Sequence, residues 1–234
     1  MKNKLICVIP ARGGSKRIPK KNIKNFNGKP IISYPIKTAI ESNIFNKVIV
    51  STDDSETARI ALDFGAEVPF MRSSINSNDS ATTLEALKEV DLKLTEELNY
   101  SYNTMCCVYP CTPLISIDDL VGAYAAYLKA ESDSLIPVIK YPHPIERALT
   151  TNLKGLLQMK NENFYKTRTQ DINESYFDAG QFYFFSKKVV QTYDNPFKGT
   201  VSYYELDPNQ SQDVDNENDW QMLELKFKIQ NEIS

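Results

Sequence analysis

The chain has 234 residues, enough for one domain with a real core, and its 27 basic and 30 acidic residues leave a net charge of −3. That balance argues against a general nucleic-acid binder, which needs a basic face, and no apolar run approaches the roughly 20 residues that span a bilayer. A single histidine, His143, excludes a metal site built from histidines, and its place between Pro142 and Pro144 reads as an ordinary loop.

The short N-terminal apolar run carries no cleavage pattern, so a cytoplasmic location is expected. Cys7, Cys106, Cys107 and Cys111 lie in or beside apolar runs without metal-ligand spacing and read as reduced core or near-site thiols. Lys4 to Pro10 reads as a strand. It empties into IPARGGSKRIPKKN, residues 9 to 22, which holds paired glycines and five cations between positions 12 and 21. Gly13 and Gly14 can turn successive N–H groups toward one point and let an anion approach closely. Arg12 offers a planar fork for phosphate oxygens and Lys21 a mobile point charge, while Pro19 restrains the loop. A solvated basic patch is the alternative, although such a patch has no need of glycines at the end of a first strand. The loop fits neither G-x-x-x-x-G-K-[ST] nor a strand-following G-x-G-x-x-G.

Pro30 to Ser42 reads as a helix with Ile32, Ile36 and Ile40 four apart, and Lys47 to Thr52 as a β-branched strand. A helix over about 54–64, closed by Gly65, and a short strand at Glu67 to Met71 follow. Ala81 to Leu98 is the longest helical pattern, with Leu87, Val90, Leu94 and Leu98 on one stripe. Met105 to Tyr109 reads as a buried strand. Asp118 and Asp119 then open a helix whose Ile117, Leu120, Val121, Tyr124 and Leu128 share a face, and Ser134 to Ile139 is a strand. The alternation implies an α/β fold, a mostly parallel sheet with helices on both faces, and ligands beyond the carboxyl ends of its strands. From Tyr141 to Asp178 the period is lost, which marks a functional excursion or a partner-binding arm. Gly180 to Ser186 resumes as an aromatic strand. A short helix at Lys187 to Tyr193, a strand at Val201 to Leu206 and a helix from about Glu217, with Trp220, Leu223 and Phe227 on one face, complete the pattern.

Before that last helix stand Asp213 and Asp215. In an extended segment their carboxylates share one face, roughly 7 Å apart at Cα, which suits a hard cation such as Mg²⁺. Helix capping is the alternative, since Asp, Asn and Glu gather before helices.

Residues 9 to 22 resemble the loop of the cytidylyltransferases that activate 2-keto sugar acids, the CMP-sialic acid synthetase family. The likeness continues through KVIVSTD (47–53), GAEVPF (65–70) with Arg72, and 79–83. Tyr109 to Leu114 departs from the sialic acid pattern, in which glutamine precedes the proline. YPHPIERAL (141–149) and DAGQFY (178–183) are similar to the pseudaminic acid cytidylyltransferases. The resemblance implies a single Rossmann-like nucleotidyltransferase domain over 1–234, with an arm at about 140–178 that reaches across a homodimer. It implies transfer of CMP from CTP to a nine-carbon 2-keto sugar acid, pseudaminic acid before sialic, legionaminic or 3-deoxy-octulosonic acid. A non-catalytic nucleotide-sugar binding protein is the alternative of another class.

Arg12 and Lys21 would then stabilise the α-phosphate and departing pyrophosphate. Ala11, Gly13, Gly14, Ser15, Asn22, Arg72, Ser80 and Tyr109 would hold the nucleotide. The resemblance places Mg²⁺ on Asp213 and Asp215, making them catalytic with Arg12 and Lys21. Arg147, Arg168, Gln170 and Gln181 are candidate sugar contacts, each equally readable as a surface or packing residue.

Overall fold

The computed structural model describes residues 4–78 and 81–233. Alternation of period two gives strand β1 (Leu5–Pro10) two faces, Leu5, Cys7 and Ile9 entering one core and Ile6 and Val8 another. Strands β2 (Asn25–Phe26) and β3 (Lys29–Pro30) form a small hairpin before helix α1 (Ser33–Glu41). Then come β4 (Lys47–Ser51), α2 (Ser55–Asp63), α3 (Thr83–Leu92), β5 (Thr104–Val108), α4 (Ile117–Ala130) and β6 (Ser134–Lys140). The excursion contains a hairpin, β7 (Leu149–Thr151) with β8 (Leu157–Met159), and β9 (Tyr176–Asp178). After it come β10 (Phe182–Ser186), α5 (Lys187–Thr192), β11 (Val201–Glu205) and α6 (Glu217–Ile233).

The main sheet runs β11-β6-β10-β5-β1-β4, with β9 added to β6. Strands β1, β4, β5, β6 and β11 point one way; β9 and β10 oppose them, so the sheet is mixed and mostly parallel. One face is covered by α1, α2 and α4 through Ile36, Ala39, Ala61, Leu120, Ala123 and Tyr127. The other carries α3 and α5 through Leu84, Leu87, Val90, Val189 and Val190. The expected α/β architecture is present, and the chain switches faces around β1. That leaves a crevice at the carboxyl ends of β1 and β5, where ligands bind in sheets of this kind.

Several elements differ from expectation for identifiable reasons. Glu67 makes a single bridge to Ile49 and no strand continues to Met71, because Pro69 has no N–H to donate. The 81–98 pattern is two pieces. A box between Thr82 and Glu85 caps α3, and a π-turn over Lys93–Glu97 shifts the phase, so Leu94 stays buried while Leu98 is half exposed. Helix α4 is capped by Ser116 with Asp119 and is turned from the expected face: Leu120, Ala123 and Tyr127 are buried, while Ile117, Val121 and Leu128 face out. Gly122 accounts for part of this, since a Cβ there would lie 2.8 Å from the Tyr204 hydroxyl of β11. The excursion is not structureless, and its last strand is sewn to β6 with Asp178 opposite Val138. Among the described residues no helix is long and apolar enough to cross a membrane.

Candidate active site

A cleft of about 860 Å³ opens where β1 and β5 end and β10 begins. Arg12, Ser15, Lys21 and Asn22 of the basic loop line it, as do Arg72, Tyr109, Gln181, Asp213 and Asp215. The loop is held from below by a third apolar cluster, in which Ile18 packs with Phe26, Ile31, Cys111, Val214, Trp220 and Leu223. Asn22, buried, donates its amide to the Arg12 carbonyl at 2.9 Å and accepts from the Cys111 thiol at 3.4 Å. Burial pushes that thiol up to about 12, so it stays protonated at neutral pH. Arg12 reaches across to the Asn78 carbonyl at 2.7 Å.

The glycines work differently from expectation. Neither Gly13 nor Gly14 takes a positive φ; in this loop it is Lys20 that does, at 51°. Gly13 is required by close approach, because a Cβ there would lie 2.7 Å from the Cβ of Asp54 at the head of α2. Its N–H donates to Asp53 at 2.9 Å, and the Ala11 N–H is likewise committed, to the Ser51 carbonyl at 2.9 Å. Gly13 and Gly14 line a smaller hollow of about 270 Å³ on the α2 side.

At the carboxylate pair the alternative of capping finds its residues elsewhere. The side chain of Asn216 accepts from the N–H groups of Asn218 and Asp219, and Asp219 accepts in return from Asp215 and Asn216. Asp213 and Asp215 are thereby left to the cleft. Val214 between them is buried in the apolar cluster, so the alternation of an extended segment turns both carboxylates away from the core. Asp215 meets Arg17 at 2.7 Å, an exposed pair of small energetic weight that is open to exchange. The Lys21 ammonium donates to the Val214 carbonyl at 2.7 Å and so ties the basic loop to this segment. Two hard oxygen donors beside a basic loop fit Mg²⁺, which takes one or two carboxylates and completes its shell with phosphate and water. No cluster of three or more metal-ligating side chains gathers among the described residues.

Of the four candidate sugar contacts, Gln181 lies in the cleft, 1 % exposed, its amide held by the Ala179 carbonyl at 3.0 Å. Arg147, Arg168 and Gln170 do not. They sit exposed in the excursion, where Arg147 donates to Thr169 at 3.2 Å. Ser80 lies outside the described residues.

Similarity to known proteins extends over nearly the whole chain. Residues 6–223 match the family described as Cytidylyltransferase. This chain belongs to that family. The cytidylyltransferase is 38 % identical over 232 residues to the pseudaminic acid cytidylyltransferase of Campylobacter jejuni, covering 99 % of each chain. It is 33 % identical over 221 residues to N-acylneuraminate cytidylyltransferase A of Danio rerio, covering 94 % of this chain and 50 % of the other. In structure it resembles CMP:2-keto-3-deoxy-manno-octonic acid synthetase complexed with CTP, with a TM-score of 0.71 and 17 % identity over 97 % and 100 % of the two chains. At that identity the likeness concerns the fold alone. The protein is a nucleotidyltransferase of the acylneuraminate and pseudaminic acid cytidylyltransferase type.

The cleft of this cytidylyltransferase also contains residues that spacing did not single out. Tyr183 gives its hydroxyl to both oxygens of Asp178, at 2.9 and 3.0 Å, and packs edge-on against Tyr109, whose hydroxyl pairs with Thr83 at 2.8 Å. Burial raises both phenols, Tyr109 to about 12. Both therefore stay neutral hydrogen-bonding groups. Asp178 and Tyr183 fall within the DAGQFY stretch, the one sequence signal that pointed to them.

Proposed function

We propose that the protein transfers CMP from CTP to the anomeric hydroxyl of pseudaminic acid, a nine-carbon 2-keto sugar acid, and releases pyrophosphate. The observation that carries this reading is the 38 % identity, over 99 % of both chains, to the Campylobacter jejuni enzyme of that name. The hydroxyl oxygen attacks the α-phosphorus in line, a new P–O bond forms, the bond to the bridging oxygen of pyrophosphate breaks with its electron pair going to pyrophosphate, and the hydroxyl proton passes to solvent. Little covalent work falls to the protein, so positioning and charge neutralisation supply most of the rate.

Arg12 and Lys21 take the α-phosphate and the leaving group. Lys21 gives one N–H to Val214 and keeps two for phosphate oxygens. Ser15, Asn22, Arg72 and Tyr109 hold the nucleotide, with Ser80 expected near the base; Ala11 and Gly13 shape the loop, their N–H groups being committed elsewhere. Asp213 and Asp215 are the residues that would hold a divalent ion. Bound there, Mg²⁺ would draw charge from the phosphates and lower the pKa of the sugar hydroxyl. Gln181 serves the sugar, and Arg147, Arg168 and Gln170 reach a site by extending the excursion to a second copy in a homodimer. The exposed Leu149, Leu153, Leu156, Leu157 and Tyr165 of that excursion support this. Such an enzyme works in the cytoplasm, where CTP is made.

Pyrophosphate release from CTP and Mg²⁺ is to be measured with pseudaminic, sialic, legionaminic and 3-deoxy-octulosonic acids. Turnover with pseudaminic acid alone is expected. Turnover only with sialic acid would favour the second reading, which rests on the 33 % identity to the N-acylneuraminate enzyme. Silence across the panel would favour a binding protein.

A further inference from the structure

Arg72 sits on a loop that no regular element carries, and yet its guanidinium is buried in the cleft wall, bonded to the hydroxyl and carbonyl of Ser51. Two side chains one turn apart on α3 and its extension, neither of them lining the cleft, clamp that loop on both sides of Arg72. Before it, Lys93 donates to the Met71 carbonyl at 2.8 Å. After it, Glu89 accepts from the Ser73 N–H at 2.7 Å, the Ser73 hydroxyl at 2.7 Å and the Asn76 amide at 2.6 Å. Lys93 and Glu89 pair with each other at 2.9 Å, closing the clamp. Glu89 is only 8 % exposed, so this carboxylate is buried with every partner it has on one loop or one turn below. Two residues past Asn76, the Asn78 carbonyl accepts from Arg12 of the basic loop.

We propose that Glu89 is a positioning residue for nucleotide binding, fixing the 71–78 loop so that Arg72 and the Asn78 carbonyl stand where Arg12 and the nucleotide meet them. This rests on the reading of the cleft as a CTP site. Ion-pair networks of this sort also serve stability alone, and the two roles separate in their readouts. If Glu89 acts through the loop, its loss weakens nucleotide binding and leaves the chemistry at saturation nearly intact, because the groups that carry charge in the transition state remain.

The test compares Glu89→Gln with Asp91→Asn. Asp91 is a second buried carboxylate on α3, bonded away from the loop to Tyr102 at 2.7 Å and Gln191 at 3.0 Å. Direct CTP binding by calorimetry, KM for CTP, kcat and melting temperature are measured for both. Glu89→Gln is expected to weaken CTP binding and raise KM about tenfold with kcat within about threefold, since bonds to a charged group are lost. Asp91→Asn is expected to lower the melting temperature and leave KM within about twofold. A Glu89→Gln protein that melts earlier and binds CTP as wild type does would overturn the positioning role and leave the nucleotide site standing. Wild-type protein that binds no CTP would overturn both.

Discussion

Lys21 joins the two charged segments of the cleft, and that makes it the residue whose removal is most informative. Replacing it by alanine should lower turnover by about two to four orders of magnitude, equivalent to about 3–5 kcal/mol of transition-state stabilisation. A steady-state rate within about threefold of wild type would remove it from the role. The acidic run before α6 divides in the same way. Asp215→Ala should abolish metal-dependent turnover with little change in melting temperature, because Asn216 and Asp219 still cap the helix. Asn216→Ala should do the reverse, costing about 1 kcal/mol of stability while turnover persists. The spacing of Asp213 and Asp215 was legible in the sequence, since alternation predicts a shared face. Which residues cap was not, because Asp, Asn and Glu occupy six of the seven positions from 213 to 219 and all suit a helix head.

Loops in this protein are shaped by the helices they touch. Gly13 and Gly14 look equivalent in sequence, but only Gly13 lies against α2. Gly13→Ala should displace the basic loop and weaken nucleotide binding, whereas Gly14→Ala, with nothing within 4 Å of the added Cβ, should be tolerated; titration of both variants with CTP decides. The clamp beneath Arg72 adds a pH dependence. Burial pushes the Glu89 carboxyl up, but bonds from Asn76, Lys93 and Ser73 outweigh it and hold the group at about 2. A carboxylate depressed on folding gives stability that is complete above its unfolded value and lost as the pH falls through the folded one. The melting-temperature gap between wild type and Glu89→Gln should therefore be full above about pH 5 and close between about pH 4.5 and 2. Most helices and strands could be read from period and caps. The π-turn after α3 and the rotation of α4 could not: a π-turn leaves the period of the pattern before it unchanged, and α4 is turned partly by a partner remote in sequence, Tyr204 against Gly122.

At the scale of the whole molecule, the fold follows from alternating strands and helices, and the carboxyl-end cleft follows from the fold. Light scattering should give twice the mass of one chain, and Leu149→Asp with Leu157→Asp should return a monomer with depressed turnover. What the alternation concealed is that β10, late in the chain, runs against its neighbours between β5 and β6. That placement has a consequence for synthesis. Until residues 182–186 arrive, the growing chain holds one half-sheet of β4, β1 and β5 and, apart from it, β6 with β9, and the edge of β5 and the Ser134–Leu135 end of β6 have unpaired backbone groups. Such edges recruit other strands, so the nascent chain is most prone to mispairing and aggregation just before β10 emerges. The pairing that joins the two parts sets Phe182 against Val108 with α4, β6 and the excursion between them in sequence, a non-local step that slows folding. The centre of the sheet thus waits on a strand made after both of its neighbours.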